Sequence, residues 1–116
     1  AYGMAYWEDA ELVDPTGAIW SGREAIRDMH VALWQGPGVG TRVAATVRRV
    51  RKLSPTLLIA DLDIAVSGFD PPPPGAFPHS DGSVRTHLKH VIEKRGDDWK
   101  ILASQNTFVA TPPLAR

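Results

Sequence analysis

Carboxylates and imidazoles are the groups that move protons near neutral pH, and three of them in this sequence border apolar runs: Asp14, His30 and His90. Asp14 ends the run "AELVD" and precedes Pro15. A carboxylate at a strand end facing an apolar cavity is disfavoured in its charged form, which would make it a stronger base. The same residue can instead accept hydrogen bonds from the Thr16 and Gly17 amides in an Asx-type turn. His30 shares a helical face with Ile26, Met29 and Leu33, where a histidine is either a core residue or a catalyst. His90 alternates with Thr86, Leu88 and Ile92 on the apolar side of a strand. Two imidazoles and one carboxylate directed into one cavity form a proton-transfer set. They could also make a two-histidine, one-carboxylate metal triad, but neither H-x-E nor H-E-x-x-H occurs, and no metal is expected. His87, beside Arg85 and Lys89, is expected in solvent or at a subunit contact, and His79 in an exposed loop.

The elements that must position these groups are legible from periodicity. "AYGMAYWEDA" reads as the end of a helix, "AELVD" as a short strand closed by Pro15, Thr16 and Gly17, and "AIWSG" as a second extended piece. In "SGREAIRDMHVALWQG", Ser21 and Glu24 have capping-box spacing, and "GPG" at 36–38 ends the helix. From Thr41 the period becomes two. "TRVAATVRRVRKL" is a strand with a basic face. "TLLIADLDIAVSG" sets Leu58, Ala60, Leu62, Ile64 and Val66 against Asp61 and Asp63. "VRTHLKHVIEKRG" alternates as well, and Gly96, Asp97 and Asp98 turn the chain into "DWKILASQNTFVA". In that last strand, parity puts Leu102, Ser104, Asn106 and Phe108 on one face and Trp99, Ile101, Ala103, Gln105 and Thr107 on the other. The order indicates an α+β fold, a curved antiparallel sheet wrapped around helices as a cone that encloses a pocket.

Composition narrows the function classes. The 116 residues amount to one domain, and 13 basic residues balance 13 acidic ones, so no global field draws nucleic acid or an anionic membrane. The basic run Arg42, Arg48, Arg49, Arg51 and Lys52 has no interleaved aromatics and faces Asp61 and Asp63 on the next strand, which reads as a solvated or dimer-facing surface. Absence of cysteine excludes thiolate chemistry and cysteine-ligated zinc. No apolar run reaches the roughly 20 residues needed to cross a bilayer, and no signal peptide is evident, so the expected location is cytoplasmic. Four prolines at 71–74 form a stiff rim beside the cavity, and Trp20 and Trp34 pack the core or the cavity mouth.

The run "DAELVDPTG…SGREAI", a helix, then "KRGDDWKI" and "QNTFV" resembles the nuclear transport factor 2-like superfamily, which includes ketosteroid isomerases, SnoaL-like polyketide cyclases and scytalone dehydratase. The tail "WKILASQNT" and the prolines resemble the SgcJ/EcaC group, found near enediyne antibiotic biosynthesis. The resemblance covers nearly the whole chain and implies the cone-shaped fold, with a first helix preceding "AYGMAYW". It implies Asp14 as the general base, because the isomerase base is the aspartate of its D-P-x-G motif. This pairing of an aspartate base with an oxyanion hole is the known arrangement of the ketosteroid isomerases. The hole's protonated aspartate corresponds to His90, and a second pocket tyrosine to His30, which argues against steroid isomerisation while leaving acid-base chemistry open. Asn106 is then an inward amide donor to a carbonyl or enolate oxygen. Trp20, Trp34, Thr86, Leu88, Ser104 and Phe108 complete the implied pocket. The resemblance implies cofactor-free isomerisation, cyclisation or dehydration of a polyketide-derived intermediate. The alternatives are a noncatalytic binder assisting a polyketide synthase and an assembly module that dimerises through its sheet. No dinucleotide fingerprint is present.

Overall fold

The computed structural model describes residues 5–110. They form β1 (Tyr6–Val13), β2 (Ile19–Ser21), α1 (Arg23–Gln35), β3 (Arg42–Ser54), β4 (Leu57–Ser67), β5 (Val84–Arg95) and β6 (Asp98–Phe108). A single six-stranded sheet has the order β2-β1-β6-β5-β4-β3. The four long strands are the antiparallel meander that the period of two predicts, and β1 joins it by a parallel pairing with β6. That pairing brings the start of the chain beside its last strand.

Residues 6–9 are strand, contrary to the helix expected for "AYGMAYWEDA". Tyr6, Ala10 and Leu12 are buried on one side. Trp7 donates its indole N–H to the Glu93 carbonyl at 2.8 Å, and Arg95 and Lys100 lie over its ring. The aromatic pair favours a pleated, half-buried surface over a helix. The register between β1 and β6 slips between Tyr6 and Glu11, an irregularity that hides the period.

The expected capping box at α1 does not form. Ser21 is the last residue of β2, paired with Glu11, and the helix is capped by Gly22 without a side-chain bond. Gly22 adopts a positive φ of 92° that a residue with a side chain rarely tolerates, and its amide donates to the Ala10 carbonyl at 2.7 Å. The helix start is thereby tied to β1. Its apolar face then packs as periodicity predicts. Ile26 is fully buried with Tyr6, Ala10 and Leu12, while Met29, Trp20 and Ile101 border the cluster. Burying a side chain of that size contributes roughly 1.5–3 kcal/mol. At the other end Gly38 lies so close to the Trp34 ring that a Cβ would collide with it.

A break in the alternation of β6 corrects the expected faces. Ser104 pairs with His90 and Ala103 with Val91, but Ile101 rather than Leu102 pairs with Ile92. Leu102 is an extra residue, a bulge, so Ile101 crosses to the Ser104 side and reaches the core under α1.

Candidate functional site

We call the side of the sheet that carries α1 the inner face. The ladders align its residues in rows: Ala45, Val47 and Val50 on β3, then Ile64, Leu62 and Ala60 on β4. Thr86, Leu88 and His90 follow on β5, and Phe108, Asn106 and Ser104 on β6. The helix covers the β1 and β2 end, while the β3 valines Val43 and Val47 are 50% and 61% exposed. The face is apolar apart from one polar island: Thr86, His90, Ser104 and Asn106. The expected pocket residues Thr86, Leu88, Ser104 and Phe108 therefore share one surface with His90 and Asn106.

Within the island, His90 Nδ1 and Ser104 Oγ are hydrogen-bonded at 2.6 Å. Ser104 is 4% exposed, so this bond has little competition from water. Burial pushes the His90 imidazole below its ordinary value and favours the neutral ring. The Tyr6 phenol neighbours Ser104, and burial raises its pKa, partly offset by the Ser104 hydroxyl. On the helix side, the Tyr6 ring centre stands 6.5 Å from that of His30, whose Nδ1 bonds the Ile26 carbonyl at 2.9 Å. The phenol therefore lies between the two histidines singled out in the sequence.

Beside the His90–Ser104 pair are two unsatisfied oxygens. Asn106 Oδ1 and Thr86 Oγ1 are buried without a hydrogen-bond partner. Asn106 sits opposite Leu88, between the Ser104–His90 and Phe108–Thr86 pairs. Buried polar atoms are nearly always paired, and an unpaired one signals a missing water or ligand, or stored strain.

Asp14 is placed differently from the expectation of a carboxylate facing an apolar cavity. Its Oδ1 accepts from the Thr16 amide (2.8 Å), the Thr16 hydroxyl (2.6 Å) and the Ala18 amide (3.1 Å), and Oδ2 accepts from the Trp20 indole N–H (3.0 Å). Burial pushes its pKa up, but these four donors together outweigh it, and the carboxyl falls below its usual value. The direction is opposite to the one a stronger base requires. The Asx-type turn is formed by Thr16 and Ala18, with the Gly17 amide bonding the Asp14 backbone carbonyl at 2.9 Å. Trp20 is committed to Asp14 and the core edge. No hydrogen bond among the described residues links Asp14 to His30 or His90.

The outer face has a different chemistry. Asp61, only 3% exposed, accepts from His87 Nε2 at 2.9 Å, and Lys89 Nζ (3.0 Å) and Arg49 (3.6 Å) pair with it. Lys89 and then His87 hold its carboxyl down at about 2. Arg48 pairs with Asp63 and Arg85 with Asp81, both at 3.0 Å. His87, expected in solvent or at a subunit contact, has Asp61 and Asp63 on its two ring nitrogens. His79 is half-buried, with Nε2 3.1 Å from the Val109 carbonyl. An open groove of about 500 Å³ lies on this side, lined by Arg48, Asp63, Asp81, Arg85 and His87 over the small residues Ala44 and Ala65. Each of its charged side chains is paired within the protein. Among the described residues, no group of three or more histidine or acidic side chains is arranged to hold a metal ion.

Tyr6 is the site residue that the sequence reading passed over. The signal existed: Tyr6, Ala10 and Leu12 keep the parity of a strand face, but the reading of the opening segment as helix obscured it.

No family model and no curated protein matches the chain. Solved structures match it closely in shape. A domain of unknown function with a cystatin-like fold from Nostoc punctiforme is 22% identical, with a TM-score of 0.78, covering 94% of this chain. The chain spans 64% of that protein's length. A ketosteroid isomerase-like protein from Erwinia carotovora atroseptica has a TM-score of 0.70 at 9% identity, covering 93% of this chain and 78% of that one. Hexachlorocyclohexane dehydrochlorinase LinA-type3 from Novosphingobium barchaimii has a TM-score of 0.72 at 15% identity, covering 91% and 69%. The chain has the cystatin-like, nuclear transport factor 2-like fold, a cone-shaped α+β architecture. At these identities the likeness concerns the fold, and function has to be argued from the site.

Proposed function

We propose that the inner face binds an apolar, oxygen-bearing small molecule and moves protons on it, as an isomerase, cyclase or dehydratase does. The observation that carries this reading is the buried Ser104–His90 hydrogen bond next to the unsatisfied oxygens of Asn106 and Thr86, set in an otherwise apolar surface. His90 is the group presented to the substrate oxygen and Asn106 orients the substrate. His30 exchanges protons from the helix side. Trp34, Leu88 and Phe108 complete the apolar seat. Asp14, with its carboxylate fully engaged, holds the β1–β2 turn and Trp20 in place. Two neighbours in fold are named for isomerase-like and dehydrochlorinase proteins, in keeping with small-molecule chemistry. The finer assignment, a polyketide-derived intermediate of enediyne or related secondary metabolism, rests on the resemblance to the SgcJ/EcaC group. In this reading the outer sheet face is the surface for a second copy or for a partner synthase.

A second reading is favoured by the state of Asp14: with its expected base depressed and bonded, the protein holds an intermediate without converting it. One experiment separates the two. 2-Tetralone, an apolar ketone with exchangeable hydrogens next to its carbonyl, is incubated in D2O with the protein and with His90→Gln. Exchange accelerated by the parent and lost in the variant supports catalysis. Binding without exchange supports the holding protein, and absence of binding sinks both.

A further inference from the structure

We infer that the ligand of the inner face is an amphipathic acid: an apolar body with a carbonyl oxygen along its length and a carboxylate at one end, the carboxylate held by Lys52 and Lys94. The inference rests on the reading of the inner face as the ligand site and names the substrate class for it.

The charges of this neutral chain are sorted between the two faces of the sheet. Beyond His90 the inner face continues through Leu58, Ile92 and Ile101 to the end where β3 turns into β4 and β5 into β6. Lys52 is paired with Leu58 and therefore shares that face. Lys94 follows Ile92 by two residues and is paired with Trp99, so both belong to it as well. On the four long strands these two ammonium groups are the only formal charges at inner positions. The carboxylates of the same strands, Asp61, Asp63, Glu93 and Asp98, are all at outer positions. Among the described residues neither lysine has an ion pair: Lys94 Nζ stands 6.0 Å from the centre of the Trp99 ring, and Lys52 is exposed. An ammonium over an aromatic ring is attracted to the quadrupole but not neutralised by it, and it still draws an anion.

The two ends of this face differ. At the far end Val66 and Val84 are buried, and Gly75 of the proline-rich loop lies against the Phe108 ring. At the lysine end Trp99 is exposed and Lys94 is half-buried. An apolar tail therefore has its seat toward Phe108. A carboxylate has its seat toward Lys94, where it keeps part of its hydration and avoids the penalty of a fully buried charge. The polar island stands between the two. His90 and Lys94 are four residues apart on β5, about 13 Å at the rise of a strand, a gap that an extended chain of about ten carbons bridges. Such a chain lies over Ile92, with Leu58 and Ile101 on either side. A neutral ligand of the same shape would fill the apolar seat and leave both ammonium groups in water.

The probe is 10-oxotetradecanoic acid, which has that spacing, beside its methyl ester, which has the same body without the charge. Calorimetric titration of both, and of 2-tetralone, reads the preference for acid over ester as a ratio of dissociation constants. The parent is expected to bind the acid about fivefold more tightly than the ester, the size expected of partly exposed ion pairs, and the preference should shrink in high salt. Lys52→Met and Lys94→Met nearly keep the length of the side chain. Each should lower the preference and the pair should abolish it, with the affinities for the ester and for 2-tetralone unchanged. Arg51→Gln is the control, because Arg51 precedes Lys52 on β3 but is paired with Ile59 on the outer face, and it should leave the preference intact. If the parent binds 2-tetralone but does not distinguish acid from ester, the inference is overturned while the inner-face reading stands. A preference that survives in the double variant, or that is lost in Arg51→Gln instead, puts the carboxylate elsewhere and overturns it too. Absence of binding by all three molecules sinks the inner-face reading and the inference with it.

Discussion

His87 and His90 stand three residues apart on β5 and face opposite sides of the same sheet. His87 has carboxylates on both ring nitrogens, Asp61 at 2.9 Å and Asp63 at 3.6 Å, in a network where each acid meets a base. His90 has a hydroxyl on one nitrogen, no carboxylate on either, and two unsatisfied oxygens beside it. A face whose charges are matched internally offers a ligand little that it does not already have. A face of low polarity with a short, incompletely satisfied polar network offers bonds that only an added molecule can complete. The location of the groove and the location of the chemistry therefore differ. The charges of the outer face are paired, although Asp61 Oδ2 has no hydrogen bond and only Arg49 at 3.6 Å, whereas the inner face is open in the hydrogen-bonding sense at two uncharged oxygens, of Asn106 and Thr86.

The contrast can be broken from its support first. Ile26→Ala empties the contact that seats α1 on β1 and should cost about 2–5 kcal/mol in chemical denaturation, the range for deleting a fully buried aliphatic side chain. It should also loosen Tyr6 and His30 together while leaving the Asp61 network intact. The next effect is in acid. Asp61 is held at about 2 against an ordinary value near 3.9, so its contribution to stability is fully present above roughly pH 4 and is lost as pH falls through 2. Asp61→Asn should flatten the loss of stability in that window, although only in part, because Asp81, also at about 2, titrates there too. Thr86→Val sharpens the comparison from the inner side. Replacing an unsatisfied buried hydroxyl by a methyl of the same shape should raise stability, by about 1 kcal/mol, while weakening ketone binding. A loss of stability instead would mean that a water already satisfies the hydroxyl. Smallest of all, His90→Gln should flatten the pH dependence of stability just below pH 6.5. There burial lowers the folded pKa, the unfolded chain takes up the proton first, and stability falls as pH drops toward the folded value.

Much of this architecture was legible in the sequence because it depends on local period. The alternation in β3, β4 and β5 and the apolar stripe of α1 at Ile26, Met29, His30 and Leu33 each follow from a side-chain repeat of 2 or 3.6. The shared face of Thr86, Leu88 and His90 follows from the same rule, and the ladders carry it to Ser104, Asn106 and Phe108. What escaped was non-local or irregular. The parallel pairing of β1 with β6 joins residues about ninety positions apart, and nothing in "AYGMAYWEDA" announces it. The bulge at Leu102 reverses the side of Ile101 without any glycine or proline to mark it. Tyr6 was missed for the first of these reasons. Asp14 was located correctly at a strand end, but its environment was not, because its donors include the Trp20 indole across the hairpin and the Ala18 amide after the turn.

The most direct test of the central claim, that the inner rather than the outer face receives the ligand, is to titrate 2-tetralone into the 15N-histidine-labelled protein and follow His90 and His87 in the same spectra. The account predicts that the Nε2 resonance of His90 moves saturably with ketone concentration and that His87 does not. Movement of His87 with His90 unchanged would place the ligand in the outer groove and contradict it.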